Sequence, residues 1–138
     1  MTDKERGIAS LHSTDDGAAM LIFKCDGGST DNRIYAEISF PTYMGKSLRD
    51  EYDESRELKY RVDGASPKRA PSYYDESYVL ISAPDGLRQF AVDLSGGKHL
   101  VVRATTYQHD SVDAEFEITG ATEMIRRVAT TCGVQSPV

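Results

Sequence analysis

At 138 residues, with 39% apolar and 28% charged, the chain is sized for one domain with one core and lies well above the composition of chains that fail to fold. Its 22 acidic against 16 basic residues leave a formal charge of -6, which disfavours nucleic acid, whose binding needs clustered Lys and Arg to displace counterions from phosphates. No window holds the roughly 20 apolar residues of a membrane-spanning helix, and the start, MTDKERGIAS, lacks the apolar stretch of a signal peptide. Two expectations follow from that start: a cytoplasmic protein, or a mature exported domain whose leader has been replaced by a start methionine.

Residues 1–7 read as a loose end. AMLIFKC, 19–25, is a strand too apolar for a sheet edge, and it places Cys25 on the face of Ala19, Leu21 and Phe23 by period-two counting. DGGSTDN, 26–32, has glycines like a phosphate-cradling loop, but without the Gly-Lys-Ser/Thr ending and a following helix it reads as a hairpin turn. In NRIYAEISF the residues Ile34, Ala36, Ile38 and Phe40 face inward and Arg33, Tyr35 and Glu37 outward. An acidic run follows at Asp50, Glu51, Asp53 and Glu54, with Tyr43 and Tyr52 around it. ELKYRVD puts Leu58, Tyr60 and Val62 on one side and Lys59, Arg61 and Asp63 on the other. Residues 71–82, rich in tyrosine and ending YVLIS, form one further strand, with Pro71 confined to its start.

PDGLRQFAVDLSGG breaks the alternation: Leu87, Phe90, Ala91 and Leu94 make the stripe of a short helix near 84–95 that glycine ends, in preference to a strand. KHLVVRATTY is a strand, and VDAEFEIT alternates Ala114, Phe116 and Ile118 inward with Asp113, Glu115 and Glu117 outward. The last element is a helix over 121–132, where Ala121, Ile125, Val128 and Cys132 share one face and Gly133 is the stop; residues 134–138 then read as a second loose end. The fold class is mainly β: a single antiparallel β-sandwich-like domain, 1–138, with these two helices.

Cys25 and Cys132, the only cysteines, both face the core by this reading. Two accounts remain open on the residues alone: one disulfide from the last helix to an early strand, or two separate buried thiols, since free cysteine is among the most buried residue types. A bridge closing so long a loop contributes about 4 to 5 kcal/mol on the chain-entropy model. A catalytic thiol is disfavoured, because the buried face of an amphipathic helix is the wrong setting for a thiolate.

Chemistry is otherwise scarce. His12, His99 and His109 stand apart, with no metal-ligand spacing, so no metal and no cofactor are expected. There is no Gly-x-Ser-x-Gly elbow, and Ser95-Gly96-Gly97 reads as a helix stop; no catalytic residue emerges. The polar candidates for binding are Arg61 and Asp63, two apart on one strand face, where a cross-strand ion pair is the plain alternative. The tyrosines Tyr73, Tyr74 and Tyr78, with the acids 50–54, would make an amphipathic protein-binding surface if they cluster.

From residue 21 to 133 the chain resembles the type VI secretion-associated VasI/TagO family of small exported proteobacterial proteins. The resemblance is carried by LIFKC, YRVDG at 60–64, LRQFAVDLSGGKHLVVR and AEFEITGATEMIRRVATTCG, in that order and spacing. It implies export to an oxidising compartment, periplasmic or secreted, and a disulfide between Cys25 and Cys132. It brings no enzymatic activity. The chain departs from the family in having no tryptophan, with Tyr73 and Tyr74 where one often stands, and in the acidic insertion around 50–54. The expected function is a non-catalytic exported accessory or binding domain that meets another protein through an acidic, tyrosine-bearing surface. The alternative is a cytoplasmic inhibitor or immunity-type protein, phage-borne in one version, that covers a basic site on its target.

Overall fold

Pleating decides which side of each strand is buried, and β3 (Ile34–Ser39) follows it closely: Ile34, Ala36 and Ile38 are buried while Tyr35, Glu37 and Ser39 turn outward. In the computed structural model, which describes residues 7–15, 18–25, 34–45 and 56–138, β3 is the centre of a sheet. β2 (Met20–Cys25) pairs with it on one side and is itself flanked by β1 (Ile8–His12). On the other side lie β7 (Tyr78–Ile81) and then β6 (Tyr73–Asp75). A second sheet has the order β5 (Lys68–Ala70), β4 (Leu58–Val62), β8 (His99–Thr105), β9 (Ser111–Glu117). Every pairing is antiparallel. The mainly β, sandwich-like domain expected from the alternation is the fold observed.

Helix α1 (Pro84–Leu94) has proline in its first turn and buries Leu87, Phe90, Ala91 and Leu94, the stripe expected from their spacing. Phe90 joins the layers. Its ring stacks on Phe23 of the first sheet at 6.2 Å and meets Tyr60 of the second edge-on at 4.9 Å, geometries that aromatic quadrupoles favour. Helix α2 (Ala121–Cys132) buries Ala121, Ile125, Val128 and Ala129 and packs on β1, β2, β3 and α1. Gly133, at φ 69°, ends it, and the Val134 N–H returns to the Ala129 carbonyl at 3.0 Å.

Three local expectations change, and one strand was not expected: β1 pairs along its whole length with β2. Its burial is partial, so its sequence carries only a weak alternation. Residues 71–82 are not one strand but the tight hairpin β6–β7, reversed at Glu76, whose φ is 59°. Asp63 is not a strand residue: β4 stops at Val62, and Asp63 sits in the following turn with φ 51°. Residues 134–138, expected as loose, run back over α2, where the Arg126 Nε–H donates to the Val138 carbonyl at 3.4 Å and Val138 packs on the core. The hairpin expected at 26–32 lies outside the described residues.

Chain passes between the sheets in a very short space. Only Pro71 and Ser72 separate β5 in one sheet from β6 in the other. Ser72 is fully buried, and its hydroxyl donates to the Ala70 carbonyl at 2.6 Å while accepting the Leu58 N–H at 3.1 Å, which satisfies backbone groups that the corner would otherwise leave unpaired.

Candidate functional site

The cysteines come together. Cys25, at the end of β2, and Cys132, at the end of α2, lie within disulfide-bonding distance, with Cα atoms 6.3 Å apart across 107 residues of sequence, inside the range a bridge requires. Both residues are half-buried rather than core-deep. Gly7, at φ 65°, lies directly over the two sulfurs, so that a side chain there would overlap them.

The structure separates the other sequence candidates. Asp63 does not share a strand face with Arg61: its carboxylate accepts the backbone N–H groups of His99 at 2.9 Å and Lys98 at 3.1 Å, and so caps the start of β8. Tyr74 is buried; its hydroxyl donates to the Arg56 carbonyl, and the Arg56 guanidinium lies 4.0 Å over its ring. Tyr73 and Tyr78 sit on the opposite, outward side of the β6–β7 hairpin, Tyr73 opposite Leu80 and Tyr78 opposite Asp75. Asp50, Glu51, Asp53 and Glu54 lie outside the described residues, as does Tyr52. Exposed aromatic surface gathers instead at Tyr43 and Tyr107, each 53% exposed, with rings edge-to-face at 5.4 Å. Gly45 makes room for that pair, since a Cβ there would stand 2.7 Å from the Tyr107 Cβ.

Of the polar candidates, Arg61 remains on open surface, and it belongs to a larger group that the linear sequence hides. Register places Arg69, Lys59 and Arg103 side by side across β5, β4 and β8, with Asp113 of β9 completing the row. Arg61 stands in the next row, beside Val101 and then Glu115. Lys59, Arg61, Pro67, Val101, Arg103 and Asp113 line a shallow groove of about 200 Å³. Arg103 is held by Asp113 through two parallel bonds, Nε at 2.8 Å and Nη2 at 3.0 Å. This fork holds the Asp113 carboxyl below its ordinary range, against the opposing effect of burial. No ion pair holds Lys59, Arg61 or Arg69 among the described residues.

Below the groove, on the inner side, Asp93 of α1 gathers Tyr60 Oη at 2.5 Å, Lys68 Nζ at 2.8 Å and Gln89 Nε2 at 2.9 Å. Burial alone would raise the Asp93 pKa, but these three donors and the Lys68 charge outweigh it and leave the carboxyl below its usual range. Burial, then the Asp93 hydrogen bond and charge, push the Tyr60 hydroxyl well above its ordinary value. The cluster is fully engaged and fastens α1 to β4 and β5; it presents no free acid or base to a substrate.

The histidines do not converge. His99 Nε2 lies 3.7 Å from Glu115, and no group of three or more His, Cys, Asp or Glu able to hold a metal occurs among the described residues. Nor is any helix among them long and apolar enough to cross a membrane.

No protein-family model matches the chain, and no curated protein matches it. Among solved structures it is similar to the invasion associated protein b from Bartonella henselae, with TM-score 0.50 and 12% identity, over 87% of this chain and 81% of that one. The likeness is one of fold: a small domain of two antiparallel sheets with a C-terminal helix.

Proposed function

We propose that this chain is a non-catalytic binding domain exported to an oxidising compartment, periplasmic or extracellular, where it contacts another protein. The observation that carries the reading is the Cys25–Cys132 pair at bonding distance, since such bridges persist outside the reducing cytoplasm. The resemblance to the VasI/TagO family adds a place beside a secretion system or the cell envelope. The Bartonella protein supports the fold and adds no activity. A binding rather than catalytic role is favoured because the polar groups that converge, around Asp93 and at Asp63, are used up in holding the fold, whereas the open surface includes the cations Lys59, Arg61 and Arg69 and the tyrosines Tyr43 and Tyr107, side chains suited to contact.

Intact mass of protein from its native host, alkylated under denaturing conditions before and after reduction, tests export. The expected result is two hydrogens missing and no alkylation before reduction. Two freely alkylated cysteines would overturn it and move the protein to the cytoplasmic inhibitor reading. Chemical crosslinking in the same host is expected to capture a protein partner by way of the β4–β8 face or the Tyr43–Tyr107 pair.

A further inference from the structure

The outer face of the second sheet carries an electrostatic cost that the described residues leave largely uncompensated. Directly opposed like charges on neighbouring strands destabilise a sheet, yet Arg69, Lys59 and Arg103 occupy one cross-strand row, with Arg61 two residues along β4 from Lys59. Among the described residues only Arg103 of these four has a carboxylate partner. This concentration of positive charge occurs in a chain whose net charge is -6, and its sign is opposite to that of the acidic run at 50–54.

We infer that the groove between β4 and β8 is a docking site for an extended acidic segment of a partner polypeptide, whose carboxylates engage Lys59 and Arg61. Three observations select this ligand. Same-side carboxylates on an extended peptide recur about every 7 Å, the repeat that separates Lys59 from Arg61 along β4. A groove of about 200 Å³ is smaller than the roughly 300 to 1,000 Å³ of pockets that enclose a whole small molecule, but it admits acidic side chains one at a time from a chain lying across it. The net negative charge of the protein opposes long-range attraction of an extended polyanion such as nucleic acid or an anionic membrane, while leaving short-range contact with a few carboxylates favourable. Val101 and Pro67 supply an apolar floor, and guanidinium forks at Arg61 and Arg69 suit carboxylate geometry. Asp113, Glu115 and Glu117 on β9 repel the segment from that side and confine it to the β5–β4–β8 half.

The inference rests on the reading of the chain as a protein-binding domain and is independent of the compartment. It is tested on the purified, oxidised protein with a fluorescein-labelled hexaglutamate peptide, followed by fluorescence anisotropy. Saturable binding that weakens steeply between low and physiological salt is expected. Lys59→Glu and Arg61→Glu, both at exposed positions, are each expected to weaken it tenfold or more, and Arg127→Glu on the exposed face of α2 to leave it within twofold. Absence of saturable binding, or equal loss in all three variants, overturns the site. Binding of inorganic phosphate or of phosphatidylglycerol vesicles at the groove, without the peptide, overturns the peptide assignment. Circular dichroism of each variant separates loss of binding from loss of fold. A failed titration with the Cys25–Cys132 bridge present in the native host would remove this site and leave the exported domain standing; free thiols with a successful titration would do the reverse.

Discussion

The two ends of β3 are fastened by different chemistry. At the Ile34 end, opposite Cys25, the sulfur pair ties β2 to the last turn of α2. At the Ser39 end the work is done by hydrogen bonds: buried Arg56 donates from Nη1 to the carbonyl of Met44 at 2.8 Å and of Thr105 at 3.4 Å, and its ring neighbour Tyr74 donates back to the Arg56 carbonyl. The first fastening is covalent, depends on the redox poise of its surroundings and acts chiefly by constraining the unfolded chain. The second is local, insensitive to redox and costly to break, because each removed partner leaves a buried polar group without one. In such a domain the hydrogen-bonded end has the same strength under any redox conditions, whereas the other end, already packed by α2, gains its covalent tie where the sulfurs are oxidised.

The largest loss is expected where α2 packs on β1, β2 and β3. Val128→Asp puts a charge on the buried face of α2, and the domain is expected to unfold; a cooperative melt at the parent temperature would refute the packing of that helix. Cys25→Ser and Cys132→Ser are each expected to lower stability by about 3 to 5 kcal/mol, with the double variant no worse than either. Denaturant titration decides it, and additive losses would mean separate thiols. Reductant should reproduce the loss in the parent protein but leave the double variant unchanged. At the other end, Arg56→Ala is expected to cost about 2 to 3 kcal/mol and Tyr74→Phe about 1 to 2 kcal/mol, both to the same extent with and without reductant.

The smallest effect concerns acid. The Asp93 carboxyl titrates below its ordinary range when folded, so the folded protein binds fewer protons there than the unfolded one. Its contribution is present above the unfolded carboxylate pKa of about 4 and is lost as pH falls through the lower, folded value. Asp93→Asn should therefore flatten the acid side of a stability profile below about pH 5 while leaving the slope between pH 6 and 8 unchanged. An unaltered acid slope would mean that other carboxylates carry it.

What was legible in the sequence was whatever depends on near neighbours along the chain. The stripe Leu87, Phe90, Ala91, Leu94 is a helix, and Ala114, Phe116 and Ile118 point inward, since periodicity and burial are set within a few residues. The face of Cys25 and of Cys132 could be counted in the same way, though their pairing needed the resemblance or the structure. Less was visible at Asp63, where a strand pattern ran one residue too far because a turn with positive φ leaves no mark in alternation. At Tyr74 a tyrosine-rich stretch suggested surface, but pairing with Val79 turned it inward. Tyr107 was not singled out, for nothing near it in sequence announces its contact with Tyr43.

The groove shows the division most plainly. Lys59, Arg69 and Arg103 are each an ordinary outward-facing charge in a strand, and no local rule connects them; they become a row only because β5, β4 and β8 are neighbours in a particular register. The sequence by itself determined the class of fold, the two helices and the inward or outward direction of most strand residues. Tertiary structure alone decided which sulfurs meet, which carboxylates are consumed by backbone N–H groups and where like charges collect, because each of these depends on contacts between segments tens of residues apart, whose pairing is chosen by the packing of the whole core.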